Sequence, residues 1–288
     1  MEYNYKKDLE YVKNFYEKME DLEKLLGVSR ITIYRWINGT SVPSKQNLEN
    51  LYNCLYKNNF RLNKIKEEIY KSLENASTKV LYHGSRDEII GDVTIEKSND
   101  KKDFGKGFYL GETLLQSASF VSMYPNSSVY VFEFCKGKNI KIKEYDVCKE
   151  WMILISYFRG KIDEFSNSKY LKEILAELKD VDVVIAPIAD NTMYDILDSF
   201  SSGDITDLQC LNALSANWLG KQYVFLNDKV IKKSLKEIDR LYICEDEKQD
   251  YKTKRKENID IGKAKVKLAK REFAGKGVYI EELLKWVK

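Results

Sequence analysis

The chain is 288 residues long and contains one histidine, His83, in the stretch "LYHGSRD". Imidazole is the usual general base, metal ligand and pH switch, so each of those roles falls to His83 or goes unfilled. Cysteines are few and scattered: Cys54, Cys135, Cys148, Cys210 and Cys244 form no CxxC pair. That spacing fits neither a zinc site nor a disulfide framework, and reduced thiols in a cytoplasm are expected. Neither a zinc nor a haem site is expected from such a ligand supply. Long apolar runs are missing as well, since none approaches the roughly 20 residues that a membrane span needs. The opening "MEYNYKKDLEYVKNFYEKMED" alternates charges and has no signal-peptide core. These absences point to a cytoplasmic protein without a membrane partner.

What is present suits a soluble globular chain long enough for two domains, with 43% hydrophobic and 32% charged residues. The net charge of +3 is unevenly spread: residues 1–80 carry +3, residues 81–250 carry −7 and residues 251–288 carry +7. Basic ends around an acidic middle suggest nucleic-acid contact at the ends; the alternative is a solvated tail that keeps the chain soluble.

The first 60 residues read as short, well-punctuated helices. Leu22, Leu25 and Leu26 fall at helical spacing before Gly27, and Ser29 is placed to cap a second helix that turns Val28, Ile33 and Trp36 inward. Asn38-Gly39 ends it, and Pro43-Ser44 precedes an amphipathic run with Leu48, Leu51 and Leu55. Residues 15–60 resemble the phage-repressor type of helix-turn-helix domain, with "LGVSRITIYRW" as turn plus recognition helix. The resemblance implies DNA as partner, with Ser29, Arg30, Thr32 and Arg35 reaching base edges and Lys45 a phosphate. A small helical bundle for dimerisation or docking is the alternative. Residues 61–78 read as one more helix and a polar linker.

From Lys79 the pattern changes to strands ("KVLYHGS", "SSVYVFEF", "KQYVFLND") mixed with helical stretches ("LLQSASFVSMY", "EWMILISYF"), which indicates an α+β domain. Three segments, in order, resemble the ADP-ribosyltransferase superfamily of the diphtheria-toxin and poly(ADP-ribose) polymerase type: "LYHGSR", "DFGKGFYLGETLLQSASF" (103–120) and "KQYVFLND" (221–228). The span 79–240 also resembles an uncharacterised bacterial family of the same fold. A second Gly-Lys-Gly before a tyrosine, Gly275–Tyr279, lacks the surrounding motif.

The resemblance implies NAD as substrate, bound on a mixed β-sheet core. His83 would hold an adenosine-side ribose hydroxyl, a positioning task rather than proton transfer. Gly84, with Ser85 beside it, would present backbone to the nicotinamide carboxamide, where a side chain would obstruct approach. Tyr109 would stack on the nicotinamide, Phe120 would form a second aromatic wall, and Ser117 would contact the carboxamide. Taken singly, a lone histidine at a strand end is also a common structural hydrogen-bonder, and the aromatics are common core residues.

Gln222 is the departure, because the superfamily's third motif normally carries glutamate there. That glutamate binds a ribose hydroxyl and its charge steadies an oxocarbenium-like transition state. A glutamine amide keeps the hydrogen bond but carries no charge. Glu112 and Asp190 are the candidates to supply the missing carboxylate.

The expected organisation is a helix-turn-helix domain at 1–60, a helical linker at 61–78, a transferase-like catalytic domain at 79–245 with His83, Tyr109 and Gln222 as its signature, and a basic tail or helix at 246–288. The second half of that tail reads as an amphipathic helix, with Ile280, Leu283, Leu284 and Trp286 clustering towards its end. The leading expectation is a mono-ADP-ribosyltransferase acting on a nucleic acid or protein, a toxin or phage-defence effector with a DNA-binding head and a cognate neutralising protein as partner. An NAD glycohydrolase and a non-catalytic NAD-sensing transcription regulator are the alternatives.

Overall fold

In the computed structural model, which describes residues 3–16, 18–189, 191–216 and 220–285, five helices open the chain. They are α1 (Tyr5–Phe15), α2 (Met19–Leu26), α3 (Arg30–Ile37), α4 (Lys45–Lys57) and α5 (Leu62–Lys71). The next elements are β1 (Thr78–Ser85), β2 (Phe108–Gly111), α6 (Leu114–Val121), β3 (Ser128–Cys135), β4 (Ile142–Glu144), α7 (Lys149–Phe158) and α8 (Lys169–Ala176). Then come β5 (Val183–Pro187), α9 (Asn191–Ser201), α10 (Asp207–Ala216), β6 (Lys221–Phe225), α11 (Asp228–Ser234), β7 (Leu235–Tyr242), α12 (Glu245–Glu272) and α13 (Ile280–Lys285). Helices and strands are mixed along the chain, and antiparallel pairing predominates, as expected of an α+β protein.

Two compact units result, and they cut across the boundaries expected at residues 60, 78 and 245. The first comprises Met1–Ile90, Thr113–Cys135 and Lys236–Lys254; the second comprises Gly91–Glu112, Lys136–Leu235 and Arg255–Lys288.

Local signals placed the helices of the first unit. Gly27 stops α2 in the left-handed conformation at φ 65°, the Ser29 hydroxyl caps α3 by accepting from Thr32 N, and Ser44 caps α4 by accepting from Asn47 N. Leu22, Ile33, Trp36, Leu51 and Leu55 are buried together, and Val28, Leu25 and Leu48 pack against them. Tyr242 and Cys244, from the end of β7 and just beyond it, belong to the same core. The Tyr52 ring stacks on Tyr242 with centroids 4.8 Å apart, and the Tyr242 hydroxyl donates to Glu49 Oε2 at 2.6 Å. This docking, formed by residues some 190 positions apart, is why the helical head does not end at residue 60. The unit's strands follow the order β1-β3-β7, with β1 antiparallel to β3 and His83 opposite Tyr130.

A buried charge cluster lies in this unit. Lys66 Nζ is 2.7 Å from Asp8 Oδ1 and 2.6 Å from Asp239 Oδ2, so α5 joins α1 to β7. Tyr52 and Tyr70 donate to the two carboxylates at 2.7 and 2.6 Å.

A second buried acid is Glu247, which accepts from Asn63 Nδ2 at 2.7 Å and from the Tyr251 hydroxyl at 3.0 Å. Burial pushes its carboxyl from an ordinary 4.5 up to about 7, against the lowering effect of those two donors. The folded protein therefore holds a proton that the unfolded chain releases, so stability falls as pH rises from about 4.5 to about 7 and is level above that. Glu247→Gln removes this fall and stabilises the protein at pH 8 by on the order of 3 kcal/mol. Urea midpoints of both proteins between pH 5 and 8 check it; parallel curves would refute the assignment.

In the second unit the strand order is β4-β5-β6-β2, with β4 parallel to β5 and the other two pairings antiparallel. The apolar strand β5 is buried along its whole length, and α7 supplies Trp151, Met152, Ile153, Leu154 and Ile155 to the same core. The lysine-rich half of the C-terminal segment is helical as α12, with Val266 and Ala269 buried in that core. In α13, Ile280 and Leu284 are buried and Leu283 packs beside them, as their spacing predicted, while Trp286 lies outside the described residues.

The second Gly-Lys-Gly has a structural task here. Gly277 has φ +86°, and a Cβ there would lie 2.3 Å from Asp207 Oδ1. Asp207 Oδ1 accepts from Val278 N at 2.8 Å, Asp207 N donates to Val278 O at 2.9 Å, and Lys149 Nζ lies 2.5 Å from Oδ2. The turn thus clamps the segment leading into α13 onto the start of α10. Gly277→Ala combines a left-handed conformation with overpacking and is expected to cost about 2–4 kcal/mol. A denaturation midpoint equal to the wild type would show that no glycine is needed there.

Candidate functional site

The candidate residues divide between the units. His83, Gly84, Ser85, Ser117 and Phe120 lie in the first; Tyr109 and Gln222 lie in the second.

In the first unit, His83, Gly84 and Ser85 form the half-buried end of β1. A Cβ on Gly84 would lie 2.3 Å from the Ser117 carbonyl oxygen and 3.0 Å from Val121 Cγ1. Glycine is thus required at 84 by the close approach of α6, whatever else its backbone does. The Ser117 hydroxyl donates to Tyr82 O at 2.8 Å, which ties α6 to β1 and leaves the oxygen its lone pairs as acceptors. A capping box of Thr113 and Gln116 starts α6, and Leu114 N donates to Glu67 Oε1 at 2.7 Å. Phe120, on the outer face of this helix, is 45% exposed.

In the second unit, β2 and β6 run antiparallel with Tyr109 opposite Val224 and Gly111 opposite Gln222. Tyr109 fastens the preceding loop to its own strand: its hydroxyl donates to Gly105 O at 2.7 Å and accepts from Phe104 N at 3.1 Å. Burial raises its pKa far above the ordinary tyrosine value, so it is neutral. Lys102 Nζ lies 4.8 Å from the ring centroid, a cation on one ring face. Gly105 has φ +69°, and a Cβ on Gly107 would lie 2.8 Å from Val224 Cγ1. The glycines that bracket the loop are therefore set by the turn and by packing on β6.

Gln222 is 7% exposed and held by two acceptors: Nε2 donates to Asp103 Oδ2 at 2.8 Å and to Pro187 O at 3.0 Å. Both amide hydrogens are used, which orients the group and leaves Oε1 as its acceptor. Asp103 is itself buried, and Oδ1 accepts from Arg159 Nη2 at 2.6 Å and from the Tyr194 hydroxyl at 3.0 Å. The Arg159 guanidinium lies 3.8 Å from the Tyr194 ring centroid. Burial works against the Arg159 charge, but Asp103 and the neighbouring tyrosines together outweigh it and raise the pKa. Burial, then Asp103, keeps Tyr194 protonated far above its ordinary value. A glutamate at 222 would offer no hydrogens to these two acceptors and would face the Asp103 carboxylate. Glutamine is the residue this pocket demands.

Sequence reasoning missed Asp103, Arg159 and Tyr194. Asp103 stood in plain view as the first residue of "DFGKGFY", but nothing local marks it as the partner of a residue 119 positions later. Of the carboxylates expected to take that part, Glu112 is half-buried and accepts from Lys221 N at 3.2 Å, an anchor for the start of β6. Asp190 lies outside the described residues.

In the helix-turn-helix region, Arg35 is exposed on α3 beside Ile31 and Tyr34. Ser29 and Thr32 are engaged with each other in the N-cap, their hydroxyl oxygens 3.1 Å apart. Arg30 lies 3.4 Å from Glu23 and 3.9 Å from Glu20, and Lys45 Nζ donates to Asn126 Oδ1 at 2.6 Å. Of the expected DNA contacts, Arg35 is thus presented directly, while the others are engaged within the protein. Among the described residues, no cluster of three His, Cys, Asp or Glu could hold a metal ion. Nor is any helix among them long and apolar enough to cross a membrane.

Residues 18–53 match the family model described as Helix-turn-helix. No curated protein and no solved structure matches the chain. Residues 79–236 match the family described as Protein of unknown function (DUF3990), the same stretch over which the strand and loop motifs run in order. That match begins within β1, ends within β7 and covers more than half of the 288 residues, so the chain belongs to this family of unknown function.

Proposed function

We propose that the family domain is an NAD-dependent mono-ADP-ribosyltransferase that modifies a macromolecule, and that the helix-turn-helix segment binds DNA. The observation that carries this reading is the clamp on Gln222. At the position where the transferases it resembles place glutamate, the chain holds an oriented amide with a buried carboxylate, Asp103, 2.8 Å away. The Gln222 Oε1 is the acceptor for a ribose hydroxyl, and Asp103 supplies negative charge from behind the amide. His83, Gly84, Ser85, Ser117, Phe120 and Tyr109 keep the binding roles that the resemblance implies. Asp103 is paired with Arg159, which dilutes its charge. That pairing favours a second reading, a DNA-binding regulator that binds NAD without turning it over.

The test is to incubate the protein with NAD, alone and with separated RNA, DNA and protein fractions, following free nicotinamide and covalently attached ADP-ribose. Nicotinamide release with label in one fraction supports the transferase, and release without label makes the protein a glycohydrolase. NAD binding with no release in any fraction leaves the regulator. Gln222→Ala is expected to lower turnover at least about 100-fold, on the scale of losing one preorganised transition-state contact. DNA binding is expected to be unchanged in that variant.

A further inference from the structure

We propose that one face of α12 in the second unit binds the phosphate backbone of a nucleic acid, in addition to any contact made by the helix-turn-helix segment. Lys256, Lys263, Lys267 and Arg271 are exposed. At 3.6 residues per turn they fall within about 80° of the helix circumference, and at 1.5 Å per residue they span about 22 Å. Asp260 is the acid inside that arc. Among the described residues, none of these four cations has a carboxylate within 4 Å. Elsewhere in the unit the exposed Lys161 pairs with Asp198 and Lys232 with Asp92, and the half-buried Lys143 and Lys221 pair with Glu177 and Glu144. A row of four like charges with a single acid among them repels itself unless a polyanion neutralises it.

The adjoining faces decide which polyanion. A helix that binds a lipid surface buries an apolar face among the acyl chains. In α12 the apolar seam is already spent: Val266 and Ala269 are buried in the unit's own core, and Gly262 is buried with them. On the other flank the exposed large apolar side chains are Ile261 and Leu268, too little for an inserting face. What remains is a charged ridge, which suits phosphodiesters approached from outside.

Four phosphate contacts predict a slope of log K against log salt of about −3.6 on duplex and about −2.8 on single strands. The experiment measures anisotropy of labelled random-sequence 20-mers (duplex DNA, single-stranded DNA and single-stranded RNA) between 50 and 200 mM salt. It uses the full chain and the Lys256→Gln/Lys263→Gln/Lys267→Gln/Arg271→Gln variant. The variant is expected to flatten the slope by about 3–4 on duplex or about 2–3 on a single strand, the probe giving the larger change naming the ligand. Lys265→Gln, on the opposite side of the helix, is expected to change it by less than about 1. A matching urea midpoint establishes that the variant is folded. The inference is overturned by an unchanged slope, by a Lys265 effect as large as that of the row, or by a wild type that binds none of the probes at 50 mM. Binding to phosphatidylserine vesicles in place of nucleic acid overturns it too. None of these outcomes depends on NAD turnover.

Discussion

Gln222→Glu is expected to weaken the protein by about 3 kcal/mol near pH 8, although it restores the residue that the resemblance calls for. The substitution brings a second carboxylate to within about 3 Å of Asp103 and strands the Pro187 carbonyl without its donor. Two such carboxylates do not both ionise, so the folded pair takes up a proton that the unfolded chain lacks. Its deficit therefore shrinks as pH falls through 6 toward 5, where the unfolded carboxylates also begin to protonate. Adding Asp103→Asn reverses the polarity: the asparagine amide donates to the carboxylate introduced at position 222, while its oxygen still accepts from Arg159 and Tyr194. The double variant is expected to regain the part lost to the paired carboxylates and to stay about 1–2 kcal/mol below wild type, because the Pro187 carbonyl still lacks its donor. Its formal cluster charge is unchanged. If the proposed transferase activity holds, nicotinamide release follows the same pattern, lost in the single variant and regained in the double. Urea denaturation of the wild type, both single variants and the double at pH 5.5 and 8 checks the stability half alone. A neutral Gln222→Glu, or a double variant no better than the single, would show that Asp103 does not select the glutamine.

Lys66→Met is expected to cost about 3–5 kcal/mol, the range for removing one partner from a buried ionic cluster. Asp8 and Asp239 are then left buried without the cation that lies 2.7 and 2.6 Å from them. Burial raises the Asp8 pKa even with Lys66 present, and burial also opposes the Lys66 charge before the two carboxylates more than restore it. With the cation gone, Asp8 is driven further toward its neutral form, so the deficit diminishes as pH falls. Lys66→Met/Asp8→Asn/Asp239→Asn is expected to regain most of the loss, because each asparagine oxygen still accepts from Tyr52 or Tyr70. A loss below about 1 kcal/mol for Lys66→Met, the worth of an exposed pair, would mean that the cluster is hydrated.

The sequence by itself determined the features that rest on neighbours in the chain. Gly27, Ser29, Ser44 and Asn38-Gly39 bound their helices because caps and left-handed turns are satisfied within four residues. The strands at β1, β3 and β6 were legible because β-branched and aromatic runs bounded by polar residues suit a pleated sheet surface. The ordered motifs between 79 and 236 were legible too, and they outlined the matching family. Tertiary structure alone decided what those residues face. The amide of Gln222 is oriented by a carboxylate 119 positions away, the Lys66 charge is held by acids from α1 and β7, and Gly277 is required by Asp207, 70 positions earlier. The lysine-rich stretch after 250 gave almost no apolar period, because its seam is Gly262, Val266 and Ala269. Small residues of that kind mark a buried face only once the core they pack against is in place.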